Sequence, residues 1–218
     1  GEMLKETASY TREEWEGMNR LKMAYYLFDS YGLLRYVARF VRSEKGIGEV
    51  EFYDSVQKEA RKNPGKWPVI SSLLSTLEEY MAPPGSWGLY INEVQRYMVD
   101  HVGMNDDSAL RTVLAVQHAQ LPAAGRQFPD LLELGHDFSA WWDTILVARE
   151  EGHRDDWEQH APKLSEFAPG TLNVEDPNGV CLSELGKPLN SLLYSLRSWE
   201  LDSSVARPRL GQSFANWG

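Results

Sequence analysis

Two histidines and an aspartate in the C-terminal half have a spacing that suits metal binding. His153, Asp156 and His160 lie at positions i, i+3 and i+7, which a helix would place along one face. Neutral imidazoles together with a carboxylate can bind zinc or iron. The surrounding segment is polar and ends at Pro162, which predicts an exposed and partly unwound loop. Exposed side chains without a metal are therefore the alternative interpretation.

A second candidate metal set centres on His136 and Asp137. Some phosphohydrolases use a His-Asp pair with further histidines around a metal, and His101 and His118 precede the pair here. The pair follows Gly135 in an apparent loop or strand rather than lying within a helix. A metal-dependent hydrolase that uses His136 and Asp137 is one hypothesis, and a loop or N-cap role for Asp137 is its alternative.

Other catalytic patterns have no counterpart in the sequence. There is no Gly-x-Ser-x-Gly elbow, and the single cysteine, Cys181, has no histidine close to it in sequence. One thiol forms no internal disulfide and holds no iron–sulfur cluster, which usually needs three or four thiolates. The glycines near Gly46 and Gly65 lack the spacing of a phosphate loop. The chain therefore carries no complete catalytic set of its own.

Arginines and paired aromatic residues are the remaining binding candidates. Arg35, Arg39 and Arg42 recur at i, i+4 and i+7. Such a basic stripe either pairs with carboxylates of a neighbouring domain or an anionic ligand, or forms a solvated face. Adjacent helix residues point about 100° apart, so one ring of an aromatic pair is expected in the core and the other toward a cleft or partner. These pairs are Tyr25-Tyr26 and Trp141-Trp142.

The composition describes an ordinary globular chain with an acidic charge. Its 218 residues include 32 acidic and 22 basic side chains, a formal net charge of −10. This charge disfavours binding to nucleic acid and to anionic lipid, because both need a basic surface. No run approaches the roughly 18 apolar residues of a membrane span. We therefore expect no nucleic-acid partner, no membrane partner and a cytoplasmic location.

Capping residues and apolar periodicity predict a mainly helical first part. Thr11 and Glu14 have the capping-box spacing that starts a helix, and Gly32 is expected to interrupt the run that follows. The next helix is expected to end at Gly46. Further helices are predicted over 49–62, from Pro68, over 86–101 and from a cap at Asp106, Asp107 or Ser108 to about 121. The apolar face of the 86–101 helix is predicted to hold Leu89, Ile91, Val94, Tyr97 and Met98.

After Pro122 the pattern becomes an irregular α+β one. We predict a helix over 138–150, a β-hairpin with arms at 171–176 and 180–182, a short helix over 189–197 and a third strand over 199–206. The predicted fold is a mainly α, bundle-like domain with a small β-hairpin or three-stranded element in its C-terminal third. It is expected to be one domain, 1–218, with a helical part (1–121), an irregular part (122–206) and a tail (207–218).

Several helix and turn segments also form a pattern when they are taken in chain order. They include Glu-Thr-Ala-Ser-Tyr-Thr-Arg-Glu-Glu-Trp at 6–15, Gly-Leu-Leu-Arg-Tyr-Val-Ala-Arg-Phe at 32–40, Val-Leu-Ala-Val-Gln at 113–117, Gly-Arg-Gln-Phe-Pro at 125–129 and His-Asp-Phe at 136–138. Shorter matches lie at 18–20, 46–47, 52–53 and 121–122. This order resembles the region that follows the barrel in cobalamin-dependent radical-SAM enzymes, and the similarity spans most of the chain.

The resemblance implies a role within a larger, methyltransferase-like enzyme. In that family an N-terminal domain binds cobalamin, and a central barrel holds a [4Fe–4S] cluster on a Cys-x3-Cys-x2-Cys motif and binds S-adenosylmethionine. This chain lacks that motif. What carries over is a C-terminal helical domain that packs on the barrel and cobalamin domain of the same polypeptide and helps to enclose a small-molecule or peptide substrate. The start at Gly1 is expected of a fragment cut from such a protein.

On this interpretation, the chain's candidate residues face substrate or a neighbouring domain, and none is catalytic. They are Tyr25, Tyr26, Arg35, Arg39, Arg42, His136, Asp137, Trp141 and Trp142. The isolated chain is expected not to bind cobalamin or S-adenosylmethionine tightly. The alternatives are a free-standing module that binds a protein partner through its arginine and tryptophan surfaces, and the hydrolase based on His136 and Asp137.

Overall fold

The computed structural model describes residues 11–30, 32–79, 87–119, 121 and 127–174. These residues are mainly helical, as predicted, and include a two-stranded antiparallel sheet. The helices are α1 (Arg12–Tyr25), a π-helical turn (Tyr26–Ser30), α2 (Arg35–Lys45), α3 (Glu49–Lys62), α4 (Pro68–Glu79), α5 (Trp87–Asp100), α6 (Ser108–Ala119) and α7 (Phe138–Glu150). Two short 3-10 turns (Trp157–Gln159 and Leu164–Glu166) and strands β1 (Asp130–Leu134) and β2 (Gly170–Val174) complete the described elements.

The predicted helix boundaries are confirmed where local signals define them. Thr11 and Glu14 form the capping box, with the Thr11 amide donating to Glu14 Oε2 over 2.7 Å. Gly46 ends α2 in the left-handed conformation, at φ 67°. Of the three predicted candidates, Asp107 is the N-cap of α6, because its Oδ1 accepts hydrogen bonds from the amides of Ala109 and Leu110 at 3.1 and 3.0 Å. Each signal acts within one turn of the chain.

The run before Gly32 ends in a π-helical turn that the sequence analysis did not predict. The amide of Leu34 reaches back to the carbonyl of Phe28 over 2.9 Å, and Gly32 takes a positive φ of 81°. This wider turn leaves Asp29 buried beside Leu27 and Phe28. An acidic side chain is thereby brought into the interior, where it needs partners.

Helix α2 lies at the centre of the helical part. It contacts α3, α6 and the π-helical turn, and eight of its eleven residues are buried. A helix buried on nearly all sides is usually apolar throughout. This one instead buries Arg35 and Arg39 along with Tyr36 and Phe40, so its polar groups must be satisfied inside the protein.

Helix α5 corrects one prediction. Leu89 was expected on the apolar face, but its side chain is 61% exposed. Tyr90 is buried in its place, and its hydroxyl donates to the carbonyl of Leu33 over 2.9 Å. Trp87, Tyr90, Ile91, Val94, Tyr97 and Met98 form the buried stripe, whose i, i+3, i+4 spacing excludes Leu89.

The small sheet pairs segments that are distant in sequence. Strand β2 overlaps the first predicted arm of the hairpin over residues 171–174, but its partner in the structure is β1, with Leu132 opposite Leu172. The second arm at 180–182, the helix over 189–197, the strand over 199–206 and the tail lie outside the described residues. The β element of the predicted fold is therefore present, and its described pairing is β1 with β2.

The irregular part packs on the helical part through aromatic side chains. Tyr36 of α2 meets Phe138 and Trp142 of α7 edge to face, with ring centroids 5.3 and 5.1 Å apart.

None of the described helices has the length and apolar character that crossing a membrane requires. The division into the three predicted parts of one domain stays a prediction for the whole chain.

Candidate functional site

Arg39 lies at the centre of a buried polar cluster, which we call the Asp29 network: Asp29, Arg35, Arg39, Glu49 and Tyr53. Arg39 Nη1 donates to Asp29 Oδ1 over 2.7 Å, and its Nε lies 3.4 Å from Glu49 Oε1. The Tyr53 hydroxyl donates to the same Asp29 oxygen over 2.9 Å. Arg35 Nε donates to the Asp29 carbonyl over 2.9 Å. The two arginines thus bind the π-helical turn and α3 to α2.

Burial and charge act in opposite directions on this network. Burial alone would raise the pKa of Asp29, but the charges of Arg39 and Arg35 and the hydrogen bonds from Arg39 and Tyr53 outweigh it and hold the pKa below its ordinary value. Burial and the Asp29 charge raise the pKa of Tyr53 well above its ordinary value. Asp29 is therefore ionised and Tyr53 neutral near pH 7, which suits a structural ion pair.

Arg42 links this network to the chain beyond α7. Its Nη1 pairs with Glu49 Oε2 at 2.9 Å and its Nε with Glu158 Oε2 at 2.8 Å. Its guanidinium also donates to the carbonyl of Asp155 and lies over the Trp157 ring, 5.4 Å from the centroid. The solvated-face interpretation of the arginine stripe is therefore wrong, since all three guanidinium groups have partners within the chain.

The two predicted aromatic pairs behave differently. Tyr25 packs edge to face on Tyr53, and burial followed by the Asp29 charge raises its pKa to about 12. Tyr26 is 43% exposed, with the Lys22 ammonium 5.8 Å from its ring centroid. One ring is thus inward and the other outward, as expected for adjacent helix residues.

Trp141 and Trp142 are both buried, so the expectation of one outward ring is wrong for this pair. Their rings pack with Phe40, Tyr36 and Phe138. Among the described residues neither indole Nε1 has a hydrogen-bond partner, although a buried unpaired donor is unfavourable by about 1–3 kcal/mol.

His136 and Asp137 hold the start of α7 in place. Asp137 Oδ1 accepts from the amide of Ala140 over 2.9 Å, which confirms the N-cap interpretation. His136 Nδ1 lies 2.7 Å from the Phe167 carbonyl and its Nε2 lies 2.8 Å from the Ser108 hydroxyl. Both imidazole nitrogens are therefore occupied, and within the described residues this pair belongs to no group with metal-ligand spacing. The hydrolase hypothesis stays a prediction.

His153, Asp156 and His160, which we call the His153 group, do come together. Asp156 Oδ1 lies 3.5 Å from His153 Nδ1, and Asp156 Oδ2 lies 3.2 Å from His160 Nε2. The two imidazoles are stacked with centroids 3.5 Å apart. The residues lie in the turns on either side of the 3-10 segment Trp157–Gln159 rather than on one helix, and they are partly exposed. The predicted unwinding is confirmed, yet the three side chains still converge.

An open cavity of about 680 Å³ lies between α1 and α3. Its apolar lining includes Met18, which is 52% exposed, and Leu21. Charged side chains also line it, among them Glu14, Arg20, Asp54 and Lys58. A mixed surface of this kind suits a protein partner or a substrate with both apolar and charged parts.

Three residues make buried polar contacts in this geometry that the sequence did not predict. Asp29 follows an aromatic run and Tyr53 lies in the predicted helix over 49–62, and neither position gave a sign of an ion pair. Gln117 is fully buried, accepts from the Tyr36 amide over 3.2 Å and donates to the Gly32 carbonyl over 2.7 Å. A polar residue on the apolar face of a predicted helix was the available signal.

The described geometry contains a buried ion-pair network, a capped helix start, a convergent surface group and an open cavity, without an assembled nucleophile and base. No protein-family model, curated protein or solved structure matches the chain.

Proposed function

We propose that this chain is the C-terminal domain of a cobalamin-dependent radical-SAM methyltransferase, where it packs on the barrel and shields the reaction centre from water. The proposal rests on the resemblance described above. The parent enzyme would use cobalamin, a [4Fe–4S] cluster and S-adenosylmethionine, act on a small molecule or peptide, and work in the cytoplasm. The chain itself would help to bind and orient the substrate, and none of its residues would take part in the reaction.

One observation supports this role above the others: the resembling residues form the frame of the domain. Thr11 caps α1, Gly32 allows the turn into α2, Arg39 is paired in the interior, Gln117 ties α6 to α2, and Asp137 caps α7. Residues used in this way define a rigid surface. A rigid surface is what exclusion of water and orientation of substrate require.

The iron–sulfur cluster of the parent does not fit this chain. The sequence has one cysteine, Cys181, whereas a site-differentiated cluster needs three cysteine thiolates. The cluster would therefore be bound elsewhere in the parent polypeptide. The contribution of the chain is confined to packing, orientation and exclusion of solvent.

The cavity between α1 and α3 is the face that we assign to the interdomain contact. A barrel that precedes α1 in the polypeptide would join the domain at the N-terminal end of that helix. Met18 and Leu21 supply apolar surface there, and Tyr26 is exposed further along the same run of helix. Arg20 and Lys58 supply cations for carboxylates of the facing domain.

The first test is the reading frame upstream of Gly1. A Cys-x3-Cys-x2-Cys motif there is expected, and its absence from the complete gene would overturn the proposal. The second test uses the full-length protein reconstituted with iron, sulfide and cobalamin. Addition of S-adenosylmethionine with a chemical reductant such as dithionite, which supplies the electron for reductive cleavage, is expected to yield 5′-deoxyadenosine and, where the methyl group passes to reduced cobalamin, S-adenosylhomocysteine, both measured by chromatography.

A matched pair of variants of the full-length protein tests the assigned face. Met18→Asp places a charge in the contact and is expected to slow substrate turnover about tenfold or more, because misplacing a domain disturbs substrate orientation. Leu131→Asp alters an apolar residue on β1 that is also exposed, at 64%, and lies outside the cavity; it should leave turnover unchanged. Equal rates for both variants would show that α1 does not form the contact.

A further inference from the structure

The His153 group has the ligand set of a transition-metal site. It offers two imidazole nitrogens and one carboxylate oxygen, all within 4.8 Å of one another. Zinc uses this mixture of donors, whereas Ca²⁺ and Mg²⁺ prefer sites made of oxygen donors alone. Two nitrogens and one oxygen leave at least one coordination position for water or for a donor group of another molecule.

The distances are close to those that a metal ion needs. Tetrahedral zinc with bonds of 2.0–2.1 Å separates its ligand atoms by about 3.3 Å. Each imidazole already lies at about this distance from one carboxylate oxygen, His153 Nδ1 from Asp156 Oδ1 at 3.5 Å and His160 Nε2 from Asp156 Oδ2 at 3.2 Å, so the two contacts use different oxygens. Bringing the widest separation between these ligand atoms, at most 4.8 Å, to this length requires a movement of at most about 1.5 Å by partly exposed side chains.

The imidazole rings must also rotate on binding. Their planes are 19° from parallel, and their centroids are 3.5 Å apart. A nitrogen lone pair lies in the plane of its ring, so parallel stacked rings do not aim at a common point between them. Because His153 and His160 are 39% and 38% exposed, neither ring is prevented by packing from turning outward.

The backbone that carries the group is held firmly. The amide of His153 donates to the Ala148 carbonyl at the end of α7, and the amide of His160 donates to the Trp157 carbonyl, both over 3.0 Å. Trp157 is buried between the ligand residues in sequence. Arg42 binds Glu158 and the Asp155 carbonyl on either side of it. Such support from outside the ligand set orients metal ligands.

We propose that His153, Asp156 and His160 bind one first-row divalent transition-metal ion, with zinc as the best match and an open coordination position facing solvent. The proposal depends on the juxtaposition of these three side chains on a clamped loop. It stands independently of the radical-SAM assignment, because none of the three residues belongs to the resembling segments.

The test is calorimetric titration of ZnCl₂ into the purified, chelator-treated protein, with MgCl₂ as the comparison metal. One equivalent of zinc is expected to bind, and magnesium is expected not to compete. Cobalt(II) should give visible absorption bands of a nitrogen- and oxygen-coordinated ion. Each of His153→Asn, Asp156→Asn and His160→Asn is expected to weaken zinc binding about tenfold or more.

Two matched variants control for binding elsewhere on this acidic chain. Asp155→Asn removes the neighbouring exposed carboxylate, and His101→Asn removes an exposed histidine on another part of the chain. Both should bind zinc like the unaltered protein. Unfolding midpoints measured in EDTA verify that every variant is folded.

Two results would overturn the proposal. One is unchanged zinc stoichiometry and affinity in the folded double variant His153→Asn/His160→Asn, which would assign the binding to surface carboxylates. The other is an absence of binding heat and of cobalt bands in the unaltered protein at about 100 μM metal, far above the Kd range of a useful site. Neither result bears on the upstream cysteine motif, so the two proposals fail separately.

Discussion

The Asp29 network and the His153 group each place an aspartate between two basic side chains, but their surroundings differ. The side chain of Asp29 is 7% exposed and that of Asp156 is 47% exposed. Around Asp29, Arg39 and Tyr53 donate to the carboxylate, Arg35 donates to the backbone carbonyl, and all of these side chains are buried. Around Asp156, each of the two imidazoles contacts the carboxylate through one nitrogen, and all three side chains are partly exposed. A buried cluster whose groups are paired stabilises a fold, whereas a partly exposed cluster of nitrogen and oxygen donors is able to take a ligand.

Removal of Arg39 should produce the largest effect. Arg39→Ala leaves Asp29 ionised in the interior without its main partner, which is expected to lower the free energy of unfolding by about 3–5 kcal/mol. Chemical denaturation followed by circular dichroism measures this. Arg20→Ala, which removes an exposed contact with Glu16, should change stability by less than about 1 kcal/mol. If Arg39→Ala lowers the free energy of unfolding as little as Arg20→Ala does, the Asp29 network does not stabilise the fold in the way described.

A neutral Asp29 should have a smaller effect that depends on pH. Asp29→Asn keeps an acceptor but loses the charge, and should lower the free energy of unfolding by about 1.5–3 kcal/mol near pH 7. The pKa of the carboxyl is lowered in the folded state. The stability that it contributes is therefore present above its unfolded pKa of about 3.9 and is lost as the pH falls through the lower folded value.

Denaturation of both proteins from pH 7 down to pH 2.5 measures this dependence. The stability difference between Asp29 and its amide variant should be constant above about pH 5 and shrink below about pH 3.9. A difference that stays constant into acid would show that Asp29 is not held ionised by the arginines.

Arg42 joins the Asp29 network to the loop of the His153 group, so its removal should moderately reduce both the stability of the fold and the affinity for zinc. Arg42→Ala breaks contacts with Glu49 and Glu158 and is expected to lower stability by about 1.5 kcal/mol. It should also weaken zinc binding at the His153 group about tenfold, because the loop loses its clamp. Loss of stability with unchanged zinc affinity would separate the two regions.

The histidines themselves should matter least to the fold. The double variant His153→Asn/His160→Asn is expected to change stability in EDTA by no more than about 0.5 kcal/mol, since both side chains are partly exposed. Thermal unfolding with and without zinc measures this. A loss of several kcal/mol without metal would make the group a structural one, like the Asp29 network.

Local features of the sequence determined most of the helical architecture. Helices α3 and α7 coincide with the predicted ranges residue for residue, α4 begins at Pro68, and α2 ends at Gly46. Caps, prolines and apolar periodicity act over one to three turns, so the sequence contains the information directly. The mainly α fold class follows from them.

Only the tertiary structure decided which polar residues are buried and which distant segments meet. The arginine stripe became interior because the π-helical turn brought Asp29 to it, and β2 pairs with β1 some forty residues earlier rather than with the next segment. The His153 group converges through a turn that Arg42 clamps from another helix. Burial and long-range pairing depend on the sum of all packing contacts, which no local spacing of residue types specifies.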